Sequence, residues 1–450
     1  MNENLNQEKI IESDKNLLVI ASAGCGKTYT ITKKIEKLTK VISPAEILVI
    51  SFTNETVNDL KKKLHPNINV MTFHKLSQKI LRENNINYSL CDEDLLEYSI
   101  NNFFENLINK KDKNLVKKYF YELNYERVLN SKIFNSYKKN IITFIKLIQC
   151  NNFNFDFLKT IFKNEKDKFL ITLIMKIYTY YNIEKKDNNL IDLDDLIILA
   201  GNISEKVNFN YKYIFVDEFQ DTSEIRFNLI FNIYKNSDSI INFFGDDYQS
   251  IYAFSGCNLN IMLDIKNKIP DIETVELTVN YRSDNKLITS ANKFVEKNPR
   301  QIQKNVHSNI TIKNSINFIY YNNYEKKVWK ILKKLESETT DIMILGRYKK
   351  DFKFLPDKYC KLTIHESKGL EAKYVILLNM KDDSYGLPSL LKNHSIFKYF
   401  ESNENYKFAE ERRIFYVAIT RAKEKVFIFV PKKNKSIFVN EFKKIVKKNN

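Results

Sequence analysis

Glycine is scarce in this 450-residue chain, with 8 residues where roughly 7% is usual. Cysteine is rarer still, with five residues. Cys25, Cys91, Cys150, Cys257 and Cys360 are scattered, with no CxxC pair. That argues against a zinc site or a disulfide framework and fits a reducing compartment. No apolar run reaches the roughly 18 residues that a membrane-spanning helix needs, so no membrane partner is expected. The opening stretch, MNENLNQEKIIESDKN, is polar and acidic where a signal peptide would be basic and then apolar. The expected location is the bacterial cytosol, or a nucleus or viral factory. Composition is otherwise ordinary, at 43% hydrophobic and 28% charged, which excludes a disordered tail protein, a miniprotein and a collagen-like rod. At about 150 residues per domain, the length predicts three compact units.

What the chain has in excess is lysine. The net charge is +17. Such a charge suits a nucleic-acid partner, but an AT-rich genome also fills a sequence with Lys, Asn and Ile. Against that background the rare residues carry information. Arginine numbers nine against 63 lysines, and four of the nine are Arg282, Arg412, Arg413 and Arg421. A retained arginine points to a planar, bidentate donor. Five of the eight glycines are Gly24, Gly26, Gly245, Gly256 and Gly369, where a backbone must turn or approach something closely.

Gly24 and Gly26 fall in the first of two motifs that carry chemistry. LLVIAS (17–22) reads as a buried strand, GCGKT follows, and TYTITKKIEKL reads as a helix. A strand, a glycine turn ending in Lys-Thr and a helix make a phosphate cradle. Lys27 would reach the β/γ-phosphates and Thr28 would ligate Mg²⁺. The first position of the strict pattern is Ala21 rather than Gly, so the strand–turn–helix context carries the assignment. The second motif, YKYIFVDEFQDTS (211–223), is a buried strand ending in carboxylates. Asp217 can hold Mg²⁺, and Glu218 can orient and deprotonate an attacking water.

The sequence resembles the Rep/UvrD-like superfamily 1A DNA helicases. The family's motifs occur in order: Gln7, ASAGCGKT (21–28), ISFTNETVNDLKKKL (50–64), MTFHKLSQKIL (71–81), VDEFQD (216–221), GDDYQSIYAFSG (245–256), LTVNYRS (277–283), TIHESKGLEAKYVI (363–376) and EERRIFYVAITRAK (410–423). FSG in place of a Trp-Arg-Gly ending, the NKFVEKNP stretch and the YGLPS-to-AEERR spacing resemble the helicase IV branch.

The resemblance implies an α/β fold with two RecA-like parallel-sheet motor domains and a helical insertion in the first. Residues 1–85 and 191–279 would form the first motor domain and 86–190 the insertion. Residues 280–450 would form the second motor domain, with the accessory insertion of larger relatives absent or vestigial. It also implies ATP and Mg²⁺ as cofactors. Backbone from Ala21, Ser22, Ala23, Gly24, Cys25 and Gly26 would surround the phosphates. Gln7 would read the adenine and Tyr281 would stack on it. Glu371 would contact the ribose, Gln249 would sense the γ-phosphate, and Arg282 and Arg421 would act on it as planar cations. For DNA it points to Phe52, Thr53, Asn54, Thr72, Phe73, His74, Phe254 and His365. Phe254 stands where much of the family carries Trp, and Ser255 where it carries Arg. The alternative reading of Phe254 is a core aromatic.

Residues 101–186 hold 17 basic and 8 acidic side chains. With their aromatics they predict either a face for single-stranded DNA or a biased, solvated surface. Only about 80 residues separate Arg282 from TIHESKG. A motor that short of accessory sequence is expected to use a partner protein for unwinding. The function expected is ATP-driven 3′→5′ movement on single-stranded DNA with opening of tailed duplexes. A translocase that strips proteins from DNA, and a non-catalytic nucleic-acid-binding protein on a motor fold, are the alternatives.

Overall fold

The protein's structure, a computed structural model, describes residues 4–109, 131–153, 164–391 and 406–448, together with Leu158, Thr160, Phe162 and Phe397. Six strands form the first sheet: β1 (Leu17–Ala21), β2 (Ile47–Ser51), β3 (Asn69–Thr72), β4 (Tyr213–Val216), β5 (Ile240–Gly245) and β6 (Glu273–Leu277). Their order is β3-β2-β4-β5-β1-β6 and every pairing is parallel. Parallel strands need helical crossovers, and these cover both faces. The residues show it. Leu18 and Ile20 of β1 pack with Leu48 and Ile50 of β2 on one face. Leu17 and Val19 pack with Ile47 and Val49 on the other.

A second parallel sheet contains β7 (Ile316–Tyr321), β8 (Ile342–Gly346), β9 (Cys360–Thr363), β10 (Ala372–Leu377) and β11 (Ala422–Pro431), in the order β7-β11-β10-β8-β9. Met343 and Leu345 face one core and Ile342 and Ile344 the other. The fold is thus α/β with two parallel sheets, as the motif order predicts. Four of these strands match apolar runs in the sequence at 341–346, 361–364, 373–379 and 425–430. The fifth, β7, is an edge strand. All but one of its residues are only half-buried.

Helices Leu95–Asn109, Lys132–Cys150 and Glu165–Asp187 pack into a separate core that includes Ile100, Phe104, Phe144, Ile174 and Ile177. The periodic segment LVKKYFYELNYERVL (115–129) lies outside the described residues. The chain leaves and re-enters the first sheet's domain through a short parallel pair, Ser89–Leu90 with Leu190–Ile191. The next helix, Leu193–Ser204, starts on Asp192 with a capping box to Asp195. The acidic pair Asp194–Asp195 therefore sits in a helix's first turn, where charge complements the helix dipole. None of the described helices is long and apolar enough to cross a membrane.

Candidate active site

The carboxyl ends of parallel strands are where an open α/β sheet binds ligands. β1 ends at Ala21 and passes into the glycine turn; β4 ends at Val216 and passes into Asp217 and Glu218. Gly24 and Gly26 have φ of +77° and +80°. At Gly24 the requirement is also spatial, since a Cβ would stand 2.6 Å from Asn280 Nδ2 and 2.7 Å from Arg282 Cβ. Asn280 Nδ2 donates to the Ala23 carbonyl at 2.5 Å, and Asn280 Oδ1 accepts from the backbone N–H groups of Arg282 and Ser283. One side chain thus ties the turn to the segment that carries Tyr281 and Arg282.

Helix Lys27–Leu38 starts on Gly26, with Lys27 in its first turn and Thr28 next to it. Lys27 Nζ lies 3.0 Å from Asp217 Oδ1 and pairs with Glu218. Burial opposes its charge, yet the two carboxylates hold its pKa well above the ordinary lysine range. Burial also pushes Glu218 up, but Lys27 and then Lys368 pull it down to about 2. Asp217 goes the other way. Burial raises its pKa and the neighbouring Glu218 charge adds to that, against Lys27. Glu218 has φ of +53°, a left-handed conformation that costs a side-chain-bearing residue on the order of 1–3 kcal/mol. Its N–H donates to Asp217 Oδ1 at 2.9 Å and its Oε2 accepts from Gln220 Nε2 at 2.5 Å.

Four cations, Arg282, Lys368, Arg421 and Lys423, reach the same cleft, of about 720 Å³, from the second half of the chain. Arg282 Nε pairs with Glu371 at 2.6 Å, and Lys423 pairs with the same carboxylate at 3.0 Å. Arg421 is buried. It donates from Nη2 to Gln249 Oε1 at 2.9 Å and from Nε to the Val417 carbonyl at 3.0 Å. Burial, then repulsion from Arg282, lowers its pKa to about 10. On the opposite side of the turn, Gln7 is buried. Its Oε1 accepts from Tyr281 Oη at 3.2 Å and its Nε2 donates to Thr30.

Glycines that a Cβ would block, a lysine set between two carboxylates and planar cations across the cleft fit a nucleoside triphosphate with a divalent cation. Gln7, the turn from Ala21 to Thr28, Asp217, Glu218, Gln249, Tyr281, Arg282, Glu371 and Arg421 lie around this cleft.

The candidate nucleic-acid residues form two groups. Phe254 is 57% exposed, so it is not a core aromatic. Its ring stands 5.5 Å from that of His365, edge to face. Tyr252 Oη donates to the His365 carbonyl at 2.9 Å. In the other group Phe52 packs against Phe73 at 5.1 Å, and the Arg226 guanidinium lies 5.6 Å from the Phe52 ring. Phe73 itself is buried in the first core, and Thr72 caps its helix by accepting from Lys75 N–H. Their side chains hold Phe52 and the helix start rather than facing solvent. Thr53 caps the helix Asn54–Lys63, with Asn54 exposed beside it. His74 is half-buried, and burial followed by Arg226 lowers its pKa.

Sequence reading gave no role to Asn280, Gln220, Asp221 or Lys368, although each stands inside a quoted motif. Lys368 Nζ donates to Asp221 Oδ2 and to the Gln249 carbonyl, both at 2.6 Å, and so joins the two halves of the chain.

The family model for the UvrD/REP helicase N-terminal domain matches residues 3–270, and that for the UvrD-like helicase C-terminal domain matches 357–433. The chain belongs to the UvrD/REP helicase family. It is similar to DNA helicase IV of Escherichia coli (strain K12), with 26% identity over 97% of this chain and 69% of that protein. It is 28% identical to ATP-dependent DNA helicase Rep of Buchnera aphidicola subsp. Schizaphis graminum over 76% of this chain and 52% of the relative. It is 27% identical to ATP-dependent DNA helicase PcrA of Leuconostoc citreum over 67% of this chain and 40% of the relative. The chain thus spans about two thirds of the first relative's length, about half of the second and two fifths of the third.

Proposed function

We propose that this member of the UvrD/REP family is an ATP- and Mg²⁺-dependent motor that moves 3′→5′ along single-stranded DNA and opens tailed duplexes. The observation that carries the reading is a single cleft. It holds Lys27, Asp217 and Glu218 from the first sheet and Arg282 and Arg421 from the second half of the chain. Residues up to about 279 act as the first motor domain, interrupted by the helical insertion, and the rest as the second. Gln7 and Tyr281 take the adenine and Glu371 the ribose. A divalent cation held by Thr28 and Asp217 would neutralise charge between the β- and γ-phosphates. Glu218 orients and deprotonates the water. Arg282 and Arg421 meet charge spread over the γ-phosphate oxygens, where a planar fork matches the geometry.

The names of the relatives support DNA as the track, and the resemblance supports the polarity. Phe254 supplies an exposed ring for stacking, worth roughly 1–3 kcal/mol per base. The test is steady-state ATP hydrolysis without nucleic acid and with single-stranded DNA, duplex DNA and single-stranded RNA at two salt concentrations. Strong stimulation by single-stranded DNA, weakened by salt, is expected. Duplexes tailed at either end then test polarity. Stimulation without strand separation would move the reading to a translocase. Absence of hydrolysis under all conditions would refute it.

A further inference from the structure

Two adjacent carboxylates, Asp246 and Asp247, are fully buried where GDDYQ leaves β5. Neighbouring buried anions repel each other and have lost their water, so a fold tolerates them only against a cation. That cation is Lys304. Its ammonium pairs with Asp246, lies 2.5 Å from Asp247 Oδ1 and sits 3.5 Å from the centre of the Tyr248 ring. The side chain is wholly buried and does not line the nucleotide cleft.

Asp246 is a junction. Its Oδ2 accepts from Gln249 Nε2 at 2.7 Å, and Gln249 Oε1 accepts from Arg421. Its backbone N–H donates to Gln220 Oε1 at 2.9 Å, and Gln220 Nε2 donates to Glu218. Both glutamine amides are therefore oriented from each end. A flip of either would set donor against donor on one side and acceptor against acceptor on the other.

We propose that Lys304 is a positioning residue for hydrolysis. By pinning Asp246 it fixes Gln249 and Gln220, and through them Arg421 and Glu218. The inference rests on the ATPase reading above. Lysine at 304 alone removed would strand two buried anions, so the test uses Lys304→Met with Asp247→Asn. One cation and one anion leave together, and the local net charge is unchanged. The readouts are the thermal midpoint, binding of a fluorescent ATP analogue, and kcat.

The expected result is a folded chain whose analogue Kd stays within about threefold while kcat falls about tenfold or more, the pattern of a lost transition-state contact. In a Gln249→Ala background the same two changes cost at least about threefold less, because one route from Asp246 is already cut. Wild-type kcat in the double variant overturns the inference. So does equal loss of analogue binding and kcat, an equal loss in both backgrounds, or a chain that no longer folds; each would leave Lys304 a purely structural ion-pair partner. An inactive wild-type chain overturns the ATPase reading and this inference with it. An active wild type with unaffected variants overturns this inference alone.

Discussion

Lys27 is held between Asp217 and Glu218, so a phosphate that takes up its charge must compete with two anions. Lys27→Ala is expected to abolish hydrolysis, and normal turnover in that variant would remove the phosphate-cradle assignment. Glu218→Gln keeps the shape and loses the base. It should bind ATP and slow kcat by about 10²–10⁴-fold, as single-turnover assays would show. His365 gives a prediction in pH. Burial, then Arg347, lowers its pKa to about 4. The folded chain thus holds it neutral while the unfolded chain protonates it near 6.5. Its share of stability is full above that value and is lost as pH falls towards 4. Asp221 and Glu410, raised by burial to about 6 and about 7, titrate nearby with the opposite sign. The check is therefore a difference: the thermal midpoint of His365→Gln minus that of wild type should rise as pH falls from 6.5 to 4. Parallel curves would place the histidine outside the titration. At this scale the sequence made legible those residues whose type is rare in the chain, such as Gly24, Arg282 and Arg421. Lys304 and Lys368 were illegible because lysine is the default residue here, and their partners are distant in sequence.

At the scale of elements, apolar runs marked β1 and β4 as buried strands, whereas β2 and β5, buried just as deeply, were not read as strands. Periodicity also could not show that Phe73 turns inwards to support Phe52; only packing does. The insertion's return to the first sheet is fixed by a second buried lysine. Lys185 Nζ lies 2.7 Å from Asp192 Oδ2, pairs with Asp195 and sits 4.3 Å from the centre of the Tyr181 ring. Gln149 from the neighbouring insertion helix donates to Asp192 at 2.9 Å. Removing one partner of such a cluster costs about 3–5 kcal/mol. Lys185→Met should therefore lower the thermal midpoint and expose the 86–190 segment to limited proteolysis before the sheets unfold. An unchanged midpoint and cleavage pattern would show that apolar packing alone seats the insertion.

At the scale of the whole molecule, Lys368, Arg413 and Arg421 of the second half donate to Asp221, the Ser250 carbonyl and Gln249 of the first. These links make the cleft one site, and motif order alone could not place them. Charge is the other whole-molecule property, and here the sequence left two readings. Of the net +17, residues 101–186 supply 17 bases against 8 acids. The structure turns this into a test. Lys132, Lys139 and Lys146 are exposed at seven-residue spacing on helix Lys132–Cys150, which puts them along one face. If that face tracks a DNA backbone, each lysine releases a counterion on binding. The logarithm of affinity then falls with the logarithm of salt by about 0.7 per phosphate on a single strand. Changing all three to Gln should weaken binding at low salt and flatten that slope by about 2. Basal ATP hydrolysis should stay unchanged, since none of the three lines the cleft. An unaltered slope would mean that this face carries lysine only because the whole chain does, and that the phosphate contacts lie elsewhere.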